Sequence, residues 1–170
     1  MEQYLNVLRI LSVSTDPAHK KDMERTAEFL KDYFEKLGMD YIEIFPTKVH
    51  PIVFAEKKSS LPDAKTLLIY GHYDVQPPDP LHEWNTPPFE PNKVGDYIYA
   101  RGASDMKGQI MASIFALESV LKTNDLPINV KFIIEGEEEI GSPSLVDFLE
   151  DHTELLKCDM ILNPDAGMIS

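Results

Sequence analysis

Apolar residues recur along the chain with two different periods. Over 3–13, Tyr4, Leu8 and Leu11 fall on one face of a helix. Over 21–37 the signal is clearer, because Met23, Ala27, Leu30, Phe34 and Leu37 step by three or four. Lys36 sits in its last turn, and Gly38 follows as a stop. Extended segments at 41–45 and 52–56 flank a link containing Pro46 and Pro51, and they are placed to pair as a hairpin. Short apolar runs at 66–70, 97–100, 130–134 and 160–162 read as strands. The stretch 107–121 is apolar nearly all round and reads as a buried helix. Ser142-Pro143 reads as an N-cap and first-turn proline, opening a helix toward Leu156.

Strands alternating with helices predict an α/β fold with a mainly parallel sheet. The proline-rich stretch 77–91 predicts a long ordered loop, a feature that often carries function. In such folds ligands gather outside the carboxyl ends of the strands. Those ends are therefore where chemistry is sought.

The bulk composition narrows the classes. One domain of 170 residues, 43% hydrophobic and 26% charged, is an ordinary globular composition. A net charge of −13 opposes binding to nucleic acid or to an anionic membrane through bulk charge. Cys158 is the only cysteine and cannot form an internal disulfide; a structural thiol is the expected reading. Met1-Glu2-Gln3-Tyr4 places an acid where a signal peptide carries basic residues, and no apolar run approaches membrane-spanning length. A cytoplasmic location is the expectation.

Four segments leave strand-like runs carrying histidine or carboxylate. They are Gly71-His72-Tyr73-Asp74, then 101–108 with Asp105, then 135–139 with four glutamates, then Asn163-Pro164-Asp165. Read singly, each has a plain structural account. His72 could be a hydrogen-bonded core histidine, Asp74 and Asp165 turn residues, Asp105 a helix-terminal carboxylate, and 135–139 a solvated loop. Read together, converging His and carboxylate groups are the donor set of zinc and similar divalent ions.

At this point the sequence resembles a known family. GHYDVQP (71–77), Trp84 with Pro88-Phe89-Glu90-Pro91, RGASDMKG (101–108), EGEEEIGS (135–142) and NPDAG (163–167) occur in family order. The family is that of the dinuclear zinc peptidases and deacylases, which includes carnosine dipeptidase, acetylornithine deacetylase, succinyl-diaminopimelate desuccinylase and glutamate carboxypeptidase relatives. The resemblance implies a three-layer α/β/α catalytic domain and two Zn2+ ions, with Mn2+ or Co2+ as substitutes. It implies that His72, Asp105, Glu139 and Asp165 are metal ligands, with Asp105 shared between the metals. It further implies that Asp74 supports His72, that Glu138 is the general base, and that the Asp105–Met106 peptide is cis. Glu137 is an extra acid with no assigned role. The implied chemistry is attack on an amide carbonyl by a water activated between the metals, with Glu138 carrying its proton to the leaving amine.

The resemblance also implies parts that 1–170 does not supply. These are one more metal-binding histidine downstream, a smaller domain for dimerisation and substrate grip, and the C-terminal catalytic segment. Residues 1–170 are thus expected to be the N-terminal portion of the catalytic domain, inactive alone and homodimeric only when complete. His19, His50, His82 and His152 match no family motif; His82, in the proline-rich loop, is the nearest to the site in sequence. The expected substrate is a dipeptide or short peptide. An N-acyl amino acid deacylase is the close alternative, and a non-catalytic metal-binding protein is the alternative of another class.

Overall fold

The computed structural model describes residues 1–123 and 125–167. Helix α1 (Glu2–Leu8) is followed by α2 (Lys20–Lys36), the antiparallel strands β1 (Tyr41–Phe45) and β2 (Ile52–Lys57), and β3 (Thr66–His72). After the long loop come a small hairpin, β4 (Asn92–Val94) and β5 (Tyr97–Tyr99), then α3 (Lys107–Thr123), β6 (Asn129–Glu135), α4 (Leu145–Asp151) and β7 (Met160–Leu162).

The main sheet has the order β1-β2-β6-β3-β7. β3 runs parallel to both β6 and β7, while β2 is antiparallel to both β1 and β6. Four of the five strands therefore point the same way, and β2 alone is reversed. His72 and Glu135 are paired at the carboxyl ends of β3 and β6. This end of the sheet is where the predicted motifs emerge.

The pleat sends alternate side chains to two different cores. Val53, Ala55, Phe132 and Ile134 face α2 and α3, where Met23, Leu30, Phe34, Ile110 and Ile114 are buried. Ile52, Phe54 and Ile133 face the opposite way, against Phe148 of α4 and Leu156. The result is the three-layer α/β/α arrangement. Full burial of each large apolar side chain contributes about 1.5–3 kcal/mol, so Phe34, whose ring lies 5.1 Å from that of Phe132, anchors α2 to the sheet. Gly71 in β3 permits the closest approach of α3: a Cβ there would meet Ile110 and Met106 side chains at 2.8–2.9 Å.

Several predicted boundaries move. The first helix ends at Leu8 rather than at 13. Residues beyond it run beside the site instead, since Ser12 Oγ donates to Tyr73 O and Val75 N donates to Ser12 O. The segment at 97–100 is not part of the main sheet; it pairs with Asn92–Val94 across Gly95-Asp96, with Gly95 at φ +61°. That two-residue Gly-Asp turn was a readable hairpin signal. Ser142 is not the N-cap of the fourth helix. It has φ +50°, and Ser144 occupies the N-cap because its N–H and hydroxyl are bound by the Glu137 carboxylate. The helix is correspondingly short.

Cys158 is partly buried and packs at the edge of the second core. His152 is half-buried, with its ring stacked on Phe148 at 4.3 Å. Among the described residues, no helix is long and apolar enough to cross a membrane.

Candidate metal centre

Strand β3 carries His72 to the carboxyl edge of the sheet, where its side chain is fully buried. Its Nδ1 donates to the Asp74 carbonyl at 3.0 Å and lies 3.2 Å from Asp74 Oδ1. That leaves the Nε2 lone pair facing outward. Nε2 has no hydrogen-bond partner despite being buried. Around it stand Asp105 Oδ1 at 3.3 Å, Asp165 Oδ2 at 3.5 Å and Glu138 Oε2 at 3.8 Å. His72, Asp105 and Asp165 each offer one ligand atom, all within 4.8 Å of one another. A buried nitrogen without a partner, ringed by carboxylate oxygens, fits a divalent cation of the zinc class.

The three ligand candidates come from three separate segments. His72 closes β3, Asp105 precedes α3, and Asp165 follows β7. The Asp105–Met106 peptide is cis, as the resemblance implied. Asp74 is fully buried and acts as a clamp. Its carboxylate accepts from the backbone N–H groups of Glu138 (3.3 Å) and Glu139 (3.0 Å). One aspartate thus orients the imidazole and pins the turn that bears Glu138 and Glu139. Burial alone would depress His72, but the hydrogen bond and charge of Asp74, with the charges of Glu138 and Asp165, hold it up at about 9.

Glu139 lies outside the triad. Its carboxylate accepts from Gln76 Nε2 at 2.7 Å. Burial raises its pKa despite that bond, and the nearby Asp105 charge pushes it the same way. Asp105 thus stands 3.3 Å from His72 Nε2, and its charge is also felt at Glu139. His82 is exposed and is not one of the three residues grouped here.

The acidic run divides its labour in a manner the sequence did not reveal. Glu135 is buried and accepts from Tyr70 Oη (2.5 Å) and Ser142 Oγ (2.9 Å), its pKa raised by burial. Glu137 is also buried and is satisfied by Thr47 Oγ1, His50 N, Ser144 N and Ser144 Oγ at 2.7–3.0 Å. Burial opposes its charge, yet these donors win and lower its pKa. Of the four, Glu138 is the one with an oxygen near the metal triad, 3.8 Å from His72 Nε2. Gly136 is obligatory between Glu135 and Glu137, since a Cβ there would lie 2.4 Å from the Tyr73 ring. Lys107, also unassigned by sequence, is fully buried, and its Nζ donates to the carbonyls of Val7 (3.1 Å) and Ile10 (2.8 Å). It ties the end of α1 and the residues just after it to the start of α3, two residues from Asp105.

Residues 68–168 match the model of peptidase family M20/M25/M40. The chain belongs to this family. It is 34% identical over 174 residues to a probable di- and tripeptidase, DUG2, of Saccharomyces cerevisiae, a match covering 94% of this chain and 20% of that protein. It is 35% identical over 150 residues to the Beta-Ala-His dipeptidase of Homo sapiens, covering 82% of this chain and 29% of that one. Among solved structures, the M20 family metallo-carboxypeptidase Sso-CP2 from Sulfolobus solfataricus superposes with TM-score 0.88 at 45% identity, over 98% of this chain and 37% of that chain. Human carnosine dipeptidase 1 superposes with TM-score 0.90 at 31% identity, over 99% of this chain and 38% of that chain. The M20 chain described here thus spans 20–38% of the length of these four proteins.

Proposed function

We propose that residues 1–170 are the N-terminal portion of the catalytic domain of a metal-dependent peptidase that hydrolyses the amide bond of dipeptides or short peptides. The observation that carries this reading is the buried, unpartnered Nε2 of His72 facing Asp105 and Asp165. The names borne by the M20 relatives support the substrate class.

In this reading His72, Asp105 and Asp165 hold one divalent ion, and Asp105 with Glu139 contributes to a second. Zinc is the proposed metal; when bound, it supplies Lewis acidity toward a carbonyl and lowers the pKa of water. The chain's own residues do the rest. Asp74 fixes the imidazole so that Nε2 stays available, and holds the Glu138 and Glu139 amides. Glu138, half-exposed with its carboxylate 3.8 Å from Nε2, is placed to take a proton from the attacking water and return it to the leaving amine. Glu137 and Glu135, fixed from below, keep that turn from collapsing into the site.

The second ion's shell, with Asp105 and Glu139 as its ligands here, is completed by a histidine outside these residues, as is the substrate grip. The isolated 170-residue chain is accordingly inactive. The test is Glu138→Gln in the complete enzyme. Metal content should be unchanged and dipeptide hydrolysis reduced by at least about 10²-fold. Full activity in that variant would remove Glu138 as the base.

A further inference from the structure

A cleft of about 570 Å³ is walled by Asp79, Glu83, Trp84, Tyr99 and Arg101 and includes none of the metal triad. It is formed by the proline-rich loop and the β4–β5 hairpin, neither of which the proposed mechanism uses. Arg101 precedes Asp105 by four residues, so the two Cα atoms are at most about 15 Å apart.

Arg101 is the notable group. The chain holds 29 acidic residues, yet among the described residues none lies within ion-pair distance of this half-buried guanidinium. One of its terminal nitrogens donates to Pro77 O at 3.1 Å, and its plane stands over the Trp84 ring at 5.3 Å. The Trp84 indole is itself fixed, donating to Pro78 O at 2.8 Å. The cation is thus held in place by an aromatic wall and a carbonyl, without an anion. Asp79 and Glu83 line the same cleft without pairing to it. Tyr99 adds a second, half-exposed ring. A rigid guanidinium, two separate carboxylates and two aromatic surfaces in one cleft make a set complementary to a small zwitterion with an apolar side chain.

We propose that this cleft binds an α-amino acid or dipeptide, its carboxylate on Arg101, its ammonium toward Asp79 and Glu83, and its side chain against Trp84 and Tyr99. The proposal does not depend on hydrolysis or on bound metal.

Trp84 is the only tryptophan in the chain, so its fluorescence reports the cleft alone. Phenylalanine and glycyl-phenylalanine should each give a saturable change. Tighter binding of the dipeptide would mark a substrate subsite, tighter binding of the amino acid a product or effector site. N-acetyl-phenylalanine and phenylalaninamide, each lacking one charge, should bind at least about tenfold more weakly than phenylalanine. Arg101→Met should weaken phenylalanine binding by about ten- to a hundredfold. Because Arg101 also holds Pro77, the double variant Asp79→Asn, Glu83→Gln serves as the second arm. It should weaken phenylalanine and leave N-acetyl-phenylalanine unchanged.

Equal affinity for phenylalanine and its amide, or a Trp84 signal indifferent to phenylalanine, would overturn the proposal. Zinc binding measured on the same samples keeps the two readings separate. A chain that binds zinc but not phenylalanine sinks only this inference, and one that binds phenylalanine but not zinc sinks only the hydrolytic reading.

Discussion

The Nε2 atom of His72 stands 3.3 Å from Oδ1 of Asp105, buried and without a hydrogen bond of its own. In the metal-free chain burial opposes the charged imidazole, but the hydrogen bond and charge of Asp74 on the Nδ1 side, with the charges of Glu138 and Asp165, hold it up at about 9, so Nε2 carries a proton at neutral pH. A metal ion must displace this proton. Zinc binding should therefore release a proton near neutral pH. Its apparent affinity should fall about tenfold for each pH unit below about 9. Calorimetry in buffers of different ionisation enthalpy measures the release directly; a pH-independent affinity would contradict it.

Asp74 performs two tasks with one carboxylate, and Asp74→Asn separates them. The amide keeps the volume but can no longer accept from both the Glu138 and Glu139 N–H groups while pairing with His72. Loss of such a supporting partner typically weakens metal affinity about 10–100-fold. The variant should remain folded by thermal unfolding yet lose zinc affinity by that factor. An unchanged affinity would show that Asp74 is a packing residue only.

Glu137 is predicted to be structural. Glu137→Ala strands the donors of Thr47, His50 and Ser144 in a buried position. An unsatisfied buried group costs about 1–3 kcal/mol, and chemical denaturation should show a loss of at least about 2 kcal/mol. Its carboxyl is lowered below the ordinary 4.5, so its contribution is present above that value and is lost as pH falls through the folded pKa. The variant's stability deficit should shrink at acid pH.

Lys107 and His72 oppose one another in their effect on stability against pH. Burial pulls Lys107 down to about 7, although Asp74 and Asp22 favour its charge. The folded chain then binds fewer protons at this site than the unfolded chain between about 7 and 10.5, and this contribution rises with pH. His72, raised from 6.5 to about 9, contributes stability that is full below 6.5 and lost as pH climbs through 9. The two slopes offset each other between about 7 and 9. In metal-free Lys107→Met only the falling slope remains, so its Tm should drop more steeply across that window than the parent's. Parallel Tm curves would contradict the opposition.

Much of this was legible in the sequence because it is local. The apolar period of Met23, Ala27, Leu30 and Phe34 marks α2, and the short apolar runs mark β3, β6 and β7. His72 and Asp165 are readable because each follows such a run, and a parallel sheet delivers strand ends to one edge; Asp105 instead follows the separate β4–β5 hairpin and stands just before α3. The unreadable parts depend on distant partners. Nothing near Glu137 announces that Thr47 and His50, 90 and 87 residues away, will satisfy it. The same holds for Lys107, whose acceptors lie 100 and 97 residues upstream. The first helix was overextended because Leu11 continues the apolar period, while the pull of Val75 and Tyr73 on Ser12 is tertiary. Ser142 looked like a cap because its competitor, Ser144, is selected by the carboxylate of Glu137.

Anomalous scattering at the zinc edge from zinc-soaked crystals of the chain tests the central claim most directly. The account predicts a peak within bonding distance of His72 Nε2, Asp105 and Asp165, at about 2.0–2.2 Å from each ligand atom. A peak elsewhere, or an empty triad in zinc-saturated crystals, would contradict it.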